Sequence, residues 1–308
     1  MHIITVNWNN ARQTVTLLRS LLMPMCCGEG FSVVVVDNAS SDGSPDEIQR
    51  QFREIRLLRS SHNEGYASAV NIGIEYALQA GAEYIWLLNN DTIVGSQTLP
   101  ALLRAANAVG QPAILSPLIY YADGRQVIWF AGGRLDGRLR SEHIGEGEED
   151  HGQYAGLRKV DWVSGCAPFF NYQVVERAGL WPSEYFLYLE DVDWCLAARE
   201  AGIDCYMVGD APLWHDVSGT VHRLDPAILR YYAWRNYYLL GRRRGQGLTR
   251  SRVEADLWWC LIKSAVRWLL FPSYRRDRYY HARTHALLDL LRGKVGIGAW
   301  PVEAENGH

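Results

Sequence analysis

Tyr84-Ile85-Trp86-Leu87-Leu88-Asn89-Asn90-Asp91-Thr92 decides the fold of this chain. Its first five residues are large and apolar, which is the length and character of a buried strand. The strand then stops at short polar side chains that favour turns and local hydrogen bonding. Asp91 is therefore expected at the carboxyl end of a strand, where open parallel sheets gather their ligands.

Strand-like apolar runs alternate with helical patterns on both sides of this stretch. We predict strands at residues 3–6, 32–36, 55–58, 113–120, 160–167 and 205–208, and helices at 11–22, 66–80, 97–108 and from 190. Residues 123–156 are expected to be loop-rich. The alternation predicts βαβ units, so the fold class is α/β with a mostly parallel sheet. Strands this apolar on both faces need helices on both sides of the sheet.

The ends of the first two strands are candidate nucleotide-binding positions. The first strand ends at Asn7, where a dinucleotide-binding domain would carry GxGxxG and a P-loop protein would carry GxxxxGK; neither pattern is present. The second strand ends at Asp37, whose carboxylate could accept hydrogen bonds from a nucleobase or ribose. A strand terminator that closes an Asx-turn is an equal alternative for Asp37.

The helix that precedes the central strand opens with small and polar residues. Asn63 and Gly65 stand at its start, where a missing side chain would let a ligand approach the backbone. Asn71, on the first turns, could reach a phosphate or ribose. A helix that simply packs tightly on the sheet explains the same residues equally well.

Glu190, Asp191 and Asp193 place three carboxyl groups within four residues, among aromatic neighbours, at the start of a helix that ends at Gly202. Carboxylates so close repel each other, so at least one should have a perturbed pKa, the usual condition for a catalytic base. A helix start with acids favoured by the macrodipole is the alternative. Three acids beside aromatic residues favour catalysis.

Two further positions could serve the same site. Gly165 and Cys166 lie in a predicted strand of small residues that suits close approach of a substrate. His215 follows another strand, in a loop of Asp, Ser and Gly. A lone histidine is more often a hydrogen-bonded structural residue than a ligand, so the role of His215 stays open.

Charge is distributed unevenly along the 308 residues. The net charge is only -3, but residues 1–222 carry 15 Lys and Arg against 27 Asp and Glu, whereas residues 223–294 carry 16 against 5. The C-terminal third therefore faces something anionic, either lipid or nucleic acid. Nucleic acid is the weaker interpretation, because no recognised DNA- or RNA-binding module accompanies the basic residues.

The six cysteines show no paired framework and no CxxC spacing, so we expect reduced thiols and no structural zinc; they are Cys26, Cys27, Cys166, Cys195, Cys205 and Cys260. The first residues lack a charged segment followed by a longer apolar stretch, so no secretory signal is expected. No run of about 18 uncharged apolar residues would span a bilayer. These features predict a cytoplasmic protein.

A C-terminal helix has an unusual amphipathic pattern. One face is predicted to carry Trp258, Leu261, Ile262, Ala265, Trp268 and Leu269, and the other to carry Asp256, Lys263 and Arg267. Tryptophans opposed by cations suit a helix that lies in a membrane interface. Packing on its own domain, or on a second copy in a homodimer, is an equal alternative.

Taken together, these motifs resemble the family 2 inverting glycosyltransferases of the GT-A type, and most of all the bacterial rhamnosyltransferases of cell-surface polysaccharide assembly. The resemblance rests on five motifs in order, namely Asp37, the segment 63–73, Asn89-Asn90-Asp91, Gly165-Cys166 and Glu190-Asp191-Val192-Asp193, together with His215. It covers roughly residues 1–245. It implies a GT-A catalytic domain at 1–222, with a nucleotide-binding half at about 1–121 and an acceptor half at about 122–222, followed by a basic helical region at 223–308.

The resemblance also implies a role for each candidate. Asp191 would be the general base, assisted by Glu190, and Asp91 would hold Mg²⁺ or Mn²⁺ on the donor diphosphate with His215 as an additional ligand. The nucleotide-sugar would contact Asn7, Asp37, Asn63, Gly65, Asn71, Asn89, Asn90 and Asp91. The acceptor, a glycan or polyprenyl-linked sugar, would contact Gly165, Cys166, Glu190 and Asp193.

The family's DxD motif is Asn89-Asn90-Asp91 here, which leaves one carboxylate for the metal. The expected enzyme is cytoplasmic and peripheral to the inner face of the cell membrane. A nucleotidyltransferase, and a catalytically silent carbohydrate-binding or scaffold subunit, are the alternatives.

Overall fold

The computed structural model describes residues 1–22, 30–217 and 225–298. Within these ranges ten strands form one central sheet and two more form a separate antiparallel pair. The strands are His2–Asn7 (β1), Ser32–Asp37 (β2), Arg56–Arg59 (β3), Tyr84–Asn89 (β4), Thr92–Val94 (β5), Ala113–Tyr121 (β6), Ile128–Phe130 (β7), Gly133–Leu135 (β8), Ser141–His143 (β9), Leu157–Val160 (β10), Phe169–Asn171 (β11) and Asp204–His215 (β12). The α-helices are Ala11–Leu22 (α1), Ser44–Gln51 (α2), Tyr66–Gln79 (α3), Thr98–Val109 (α4), Tyr172–Ala178 (α5), Glu190–Glu200 (α6), Pro226–Arg244 (α7), Gly247–Leu270 (α8) and Arg278–Leu291 (α9).

The central sheet has the order β10-β12-β6-β11-β4-β1-β2-β3, with β5 paired to β12 and β7 paired to β6. Strands β3, β2, β1 and β4 run parallel, as do β6 and β12, whereas β11 is antiparallel to both of its neighbours. The mostly parallel α/β sheet predicted from the sequence is therefore confirmed. The carboxyl ends of β1, β2, β4 and β12 lie at one edge, and they carry most of the candidate residues.

Two predicted strands differ from the structure. Residues 161–167 are not a strand, because the backbone of Gly165 binds side chains of α3 and α6, while the Cys166 carbonyl accepts one hydrogen bond from the backbone of β4. β12 continues past the predicted end at residue 208, because a register shift before Pro212 lets the chain resume its pairing with β6 and add β5. Gly209 and Pro212 look like turn residues in the sequence, but here they mark a bulge.

The small residues of α3 serve packing on the sheet. Gly73 is buried, and a Cβ added there would collide with Ile4 of β1 and press on Val36 of β2. The helix therefore sits close to the strands that end at Asn7 and Asp37. The packing explanation given above for this segment holds at Gly73.

The C-terminal helices share a buried core with the segment that precedes α6. One buried cluster joins Tyr238 of α7, Leu257 of α8 and Leu287 of α9 to Tyr185, which lies just before α6. No helix within the described ranges is long and apolar enough to cross a membrane. Four cysteines, Cys166, Cys195, Cys205 and Cys260, are unpaired and buried, while Cys26 and Cys27 lie outside the described residues.

Candidate active site

Asn7 and Asp37 end adjacent strands and are joined by a buried hydrogen-bond network. The Asn7 amide donates to Asp37 Oδ1 and to Ser44 Oγ, each at 2.8 Å, and its oxygen accepts from Thr14 at 2.8 Å. Ser40 donates its hydroxyl to Oδ1 at 2.6 Å and its backbone N–H to Oδ2 at 3.0 Å. Asp37 therefore does anchor a turn, with its carboxylate fixed at the site edge. The expected contact of Asn7 with the donor is not supported, because its buried amide is spent on these bonds.

The loop before α3 is shaped by one asparagine and one glycine. Asn63 Oδ1 accepts from the Asn38 amide at 2.9 Å and from the Gly65 N–H at 3.0 Å. Gly65 has a φ of +97°, and a Cβ there would lie 2.6 Å from the carbonyl oxygen of Phe186. This glycine therefore permits a close backbone crossing with the segment that leads into α6.

The side chain of Asn71 binds the backbone of the segment that leads toward α6. Its amide nitrogen donates to the carbonyl of Trp181 at 2.8 Å, and its oxygen accepts from the Trp181 N–H at 2.9 Å. The side chain thus pairs with one backbone unit in both directions. The expected reach of Asn71 to a phosphate or ribose is not supported, since both amide groups already bind the protein.

β4 brings Asn89, Asn90 and Asp91 to the carboxyl edge of the sheet. Asn90 is buried and donates to Thr14 Oγ1 at 3.1 Å, so its side chain holds α1 rather than facing the site. Asn89 is half-buried. The Asp91 side chain is 11% exposed, and its Oδ1 lies 3.1 Å from His215 Nε2. The prediction placed Asp91 and His215 in one site, and the structure brings them into contact.

His215 lies between Asp91 and the ring of Trp129, whose centroid is 4.4 Å away in an edge-on arrangement. Burial opposes a charge on His215, but the Cys166 sulfur and the Asp91 carboxylate beside it raise its pKa well above the usual value. With a proton on His215, the Nε2–Oδ1 contact of 3.1 Å is an ion pair, and Asp91 Oδ1 accepts no other hydrogen bond within the described ranges. This leaves a buried carboxylate oxygen with capacity for a ligand.

The Gly165–Cys166 segment connects the end of β4 to the start of α6. The Gly165 N–H donates to Asp191 Oδ2 at 2.8 Å, and its carbonyl accepts from the Tyr66 hydroxyl at 3.0 Å. One residue later, the Cys166 carbonyl accepts from the Asn89 N–H at 2.8 Å. The Cys166 side chain is only 2% exposed and faces His215, so the expected contact of that side chain with an acceptor is not supported.

Glu190 and Asp191, here called the carboxyl pair, begin α6 and are both perturbed. Burial and the charge of Asp191 raise the pKa of Glu190 to about 8. Burial also raises the pKa of Asp191, but the backbone N–H groups of Gly165 and Val192 oppose this by binding its carboxylate. Asp191 therefore ionises first, and Glu190 keeps its proton at neutral pH.

Asp193 faces away from the carboxyl pair. It is fully buried, and its two oxygens bind the Arg243 Nε at 2.6 Å and the Arg244 Nε. Both arginines belong to the last turn of α7. The expected contact of Asp193 with an acceptor is not supported, because this carboxylate fastens α6 to the C-terminal region.

Three residues near the carboxyl pair were missed by the sequence analysis. Trp129 packs edge-on against His143, with ring centroids 4.8 Å apart, and His143 is close enough to lower the pKa of Asp191. Tyr66 lies between the two acidic centres: burial raises its pKa, and so do the charges of Asp191 and Asp91. Trp129 and His143 come from the segment expected to be loop-rich, where the only signal was an aromatic run in polar surroundings.

The model of glycosyl transferase family 2 matches residues 2–163, more than half of the chain. The chain belongs to glycosyl transferase family 2. It is therefore a glycosyltransferase. This matches the resemblance drawn from the motifs, and the match contains β1 to β10 with Asp37 and Asp91.

Two curated rhamnosyltransferases are similar to this chain over most of their length. A dTDP-rhamnosyl transferase, RfbF, from Shigella flexneri is 24% identical over 97% of this chain and 98% of its own. An N-acetylglucosaminyl-diphospho-decaprenol L-rhamnosyltransferase from Mycobacterium tuberculosis is 28% identical over 79% of this chain and 80% of its own. Both are rhamnosyltransferases, as the motif pattern led us to expect.

Solved glycosyltransferase structures share the fold. A mannosyltransferase from Pyrobaculum calidifontis, in complex with GDP-Man and Mn²⁺, has a TM-score of 0.56 at 16% identity and covers 95% of this chain and 87% of its own. Residues 1–349 of S. aureus TarS give a TM-score of 0.53 at 14% identity, covering 95% and 91%. The predicted GT-A fold is confirmed, and the similarity extends over the C-terminal helices.

The donor set at Asp91 fits a divalent cation that shares its ligands with a diphosphate. Asp91 would supply a carboxylate oxygen, and His215, whose Nε2 lies 3.1 Å from it, would supply a ring nitrogen once a cation displaces its proton. No group of three His, Cys, Asp or Glu side chains that could hold a metal occurs in the described part of the chain. Mg²⁺, which keeps several waters and takes few carboxylates, suits such a site, and Mn²⁺ suits the imidazole.

Proposed function

We propose that this chain is an inverting glycosyltransferase that moves a sugar from a nucleoside-diphosphate donor to a hydroxyl group of a glycan or lipid-linked oligosaccharide. The position of Asp191 carries the proposal. Its carboxylate binds the backbone of Gly165, while the next residue of that segment binds Asn89, two positions before Asp91. A base and a diphosphate-binding carboxylate thus stand on either side of one short segment, as a displacement at an anomeric carbon requires.

Asp191 accepts the proton of the acceptor hydroxyl as the acceptor oxygen bonds to the anomeric carbon. The bond from that carbon to the diphosphate oxygen breaks in the same step, and the nucleoside diphosphate leaves with the bonding electrons. Attack opposite the leaving group inverts the anomeric configuration. A positioned base of this kind contributes about 10²- to 10⁴-fold to the rate. Because Glu190 keeps its proton, Asp191 is the charged member of the carboxyl pair and can accept the proton.

Donor binding is proposed at the carboxyl edge of β1, β2 and β4. Asp37 binds the nucleobase through its turn-anchored carboxylate, and Asn63 and Asn89 bind the ribose or phosphates. Asp91, with His215, would hold Mg²⁺ or Mn²⁺. A divalent cation bound there would stabilise the charge on the departing diphosphate by several kcal/mol. The backbone of Gly65, Asn90 and Gly165 shapes the pocket.

The proposed donor is dTDP-L-rhamnose and the proposed acceptor is a polyprenyl-linked glycan. Support comes from the two curated relatives, both rhamnosyltransferases, one of which acts on a decaprenol-linked substrate. Sugar specificity depends on a few pocket contacts, so the donor must be measured.

A thermal-shift panel tests donor binding. UDP, GDP, dTDP, CDP and ADP are each added with and without Mg²⁺ or Mn²⁺, since a ligand at a hundredfold excess over its dissociation constant stabilises the native state by about 2.7 kcal/mol. A metal-dependent shift with dTDP alone is expected. A metal-dependent shift with a different nucleotide would mean that the donor carries that base instead of thymine. No shift with any nucleotide would contradict the proposal.

Product analysis separates the alternatives. A glycosyltransferase releases a nucleoside diphosphate, whereas a nucleotidyltransferase releases pyrophosphate. A silent carbohydrate-binding subunit would bind sugar nucleotide equally well in the wild type and in Asp191→Asn, with no turnover in either. Retention of the anomeric configuration, read by NMR of the product, would refute the inverting mechanism.

Peripheral contact with the cell membrane is part of the proposal. α8 buries Val253, Leu257, Cys260 and Ser264 against the protein. The opposite side leaves large apolar side chains exposed, namely Trp258 (53%), Trp259 (54%), Ile262 (54%), Val266 (46%) and Leu270 (65%). Lys263 lies 4.8 Å from the ring centroid of Trp259. An apolar patch with tryptophans and cations fits the interface of an anionic bilayer.

Vesicle sedimentation tests the membrane contact. Trp258→Ser with Ile262→Ser is expected to weaken binding to anionic vesicles on the order of 10- to 100-fold, since each side chain loses apolar burial. Leu157→Ser, at a side chain of 42% exposure on β10, is the control. Unchanged vesicle binding, or a change of oligomeric state in its place, would assign the patch to a protein partner.

A further inference from the structure

The turn that leads into the carboxyl pair has a strained backbone. Tyr188 and Leu189 both have a φ of +71°, in the left-handed region that residues with a side chain rarely adopt. Leu189 is the N-cap of α6, so Glu190 follows the strained residue directly. Two successive residues in this conformation persist only where surrounding contacts hold them, and such strain concentrates at functional sites.

One side chain of α7 holds this turn. The amide nitrogen of Asn236 donates to the carbonyl of Leu187 at 2.7 Å and to the carbonyl of Tyr188 at 2.9 Å. Asn236 is fully buried, so both bonds are shielded from water. An extended conformation at Tyr188 or Leu189 would turn these carbonyls away and leave the amide unpaired.

Arg235 fixes the orientation of that amide. Its Nε donates to Asn236 Oδ1 at 3.0 Å, which leaves the amide nitrogen to face the turn. Arg235 is also fully buried; its Nη1 donates to the Gly296 carbonyl at 2.7 Å, and its guanidinium lies 4.9 Å from the ring centroid of Tyr232. The charged group is thus held by several partners and cannot rotate without losing them.

The same helix holds the other side of the first turn of α6. Arg243 and Arg244 bind Asp193, two residues after Asp191. α7 therefore fixes the chain both before and after the carboxyl pair. The Asp191 carboxylate itself accepts hydrogen bonds from the N–H groups of Gly165 and Val192.

We propose that Asn236, oriented by Arg235, is a positioning residue that holds the turn at residues 187–189 so that Asp191 faces the acceptor hydroxyl. The inference rests on the proposed role of Asp191 as base. Asn236 acts on the acceptor side of the reaction, whereas the donor binds at the ends of β1, β2 and β4. Loss of its amide should therefore lower kcat and leave the KM for the donor nearly unchanged.

Steady-state kinetics of Asn236→Ala test the proposal. A displacement of the base by about 1 Å is expected to reduce kcat on the order of 100-fold, with the donor KM within about twofold of wild type. Tyr238→Phe is the matched control, because it removes the hydrogen bond of another buried α7 side chain, 2.8 Å to Asp256, and leaves Arg235 and Asn236 in place. Equal loss of kcat in both variants would reduce Asn236 to a residue needed only for stability.

A second substitution tests whether Asn236→Ala loses activity because the turn relaxes or because the protein is less stable. Glycine adopts a positive φ without steric cost, so Asn236→Ala with Leu189→Gly should recover at least about tenfold of the lost kcat, even though it removes packing. Failure of the glycine to recover any activity, or wild-type kcat in Asn236→Ala alone, would overturn the proposal.

Hydrogen exchange gives a readout that does not need turnover. The amides of Gly165 and Val192, which bind Asp191, should exchange faster in Asn236→Ala and at the wild-type rate in Tyr238→Phe. Unchanged exchange would refute the positioning role. If the wild-type protein transferred no sugar, the proposed function would fail, while this measurement would still decide whether Asn236 holds the turn.

Discussion

Replacement of Glu190 by glutamine should change how the stability of the protein depends on pH. Burial and the charge of Asp191 raise the pKa of Glu190 from 4.5 to about 8. Between these values the native state keeps a proton that the unfolded chain releases, so the free energy of unfolding falls as pH rises through this window. Glutamine has no such proton, and Glu190→Gln should lack the decline.

The expected size follows from the two pKa values. Integrating the proton difference from about pH 5 to pH 7.5 gives about 3 kcal/mol that the wild type loses and Glu190→Gln does not. For a chain of this length this corresponds to about 6 °C in Tm. Comparing the two proteins across pH, rather than at one pH, cancels any constant change in packing caused by the substitution.

Differential scanning calorimetry at several pH values between about 5 and 7.5 is the assay. Glu176→Gln, on the exposed side of α5, is the control and should follow the wild-type curve. Parallel curves for Glu190→Gln and wild type would refute the reasoning. Glu190 would then be ionised in the native protein, and the assignment of the proton within the carboxyl pair would fail.

Three further substitutions test the site. Asp191→Asn should lower kcat about 10²- to 10⁴-fold with the nucleotide affinity unchanged, and calorimetric titration of the donor provides the check; a variant with wild-type kcat would exclude Asp191 as the base. Tyr66→Phe removes the hydrogen bond to the Gly165 carbonyl and should cost about 1 kcal/mol of stability by urea unfolding, whereas a stability equal to wild type would show that water replaces the hydroxyl. Asp193→Ala removes the buried carboxylate that Arg243 and Arg244 share, while Glu184 and Glu200 still bind them, and should cost about 2–3 kcal/mol by urea unfolding; a change below about 1 kcal/mol would mean that this carboxylate contributes little to the attachment of α7.

The alternating pattern of strands and helices was enough to predict the sheet and the position of Asp91. Each of the first strands is a short apolar run that ends in polar residues, and this local signal survives in the fold. The antiparallel strand β11 was missed, because its three residues pair with β4 and β6 only through contacts distant in sequence. Such pairing leaves no periodic pattern.

The site residues, too, were predicted only in part. The structure brings Asp91 and His215 into contact, and the carboxyl groups of Asp91, Glu190 and Asp191 are all near enough to Tyr66 to raise its pKa beyond the effect of burial. The roles that the resemblance implies for these residues stay predictions. The predicted ligand contacts of the asparagines were less accurate. The side-chain amides of Asn7 and Asn71 form hydrogen bonds within the protein. An amide offers a donor and an acceptor to a ligand or to the protein, and the sequence does not show which partner will be nearer.

The attachment of α7 to α6 determines where this enzyme can be cut or recombined. A chain truncated near residue 222 would keep every carboxylate of the site but would lack Arg243 and Arg244. The fully buried Asp193 would then have no counterion. A chimera that exchanged the C-terminal region at that point would also replace Asn236, and with it the hold on the turn. Crossovers placed after Arg244 keep both contacts, so the smallest portable catalytic unit extends through the whole of α7.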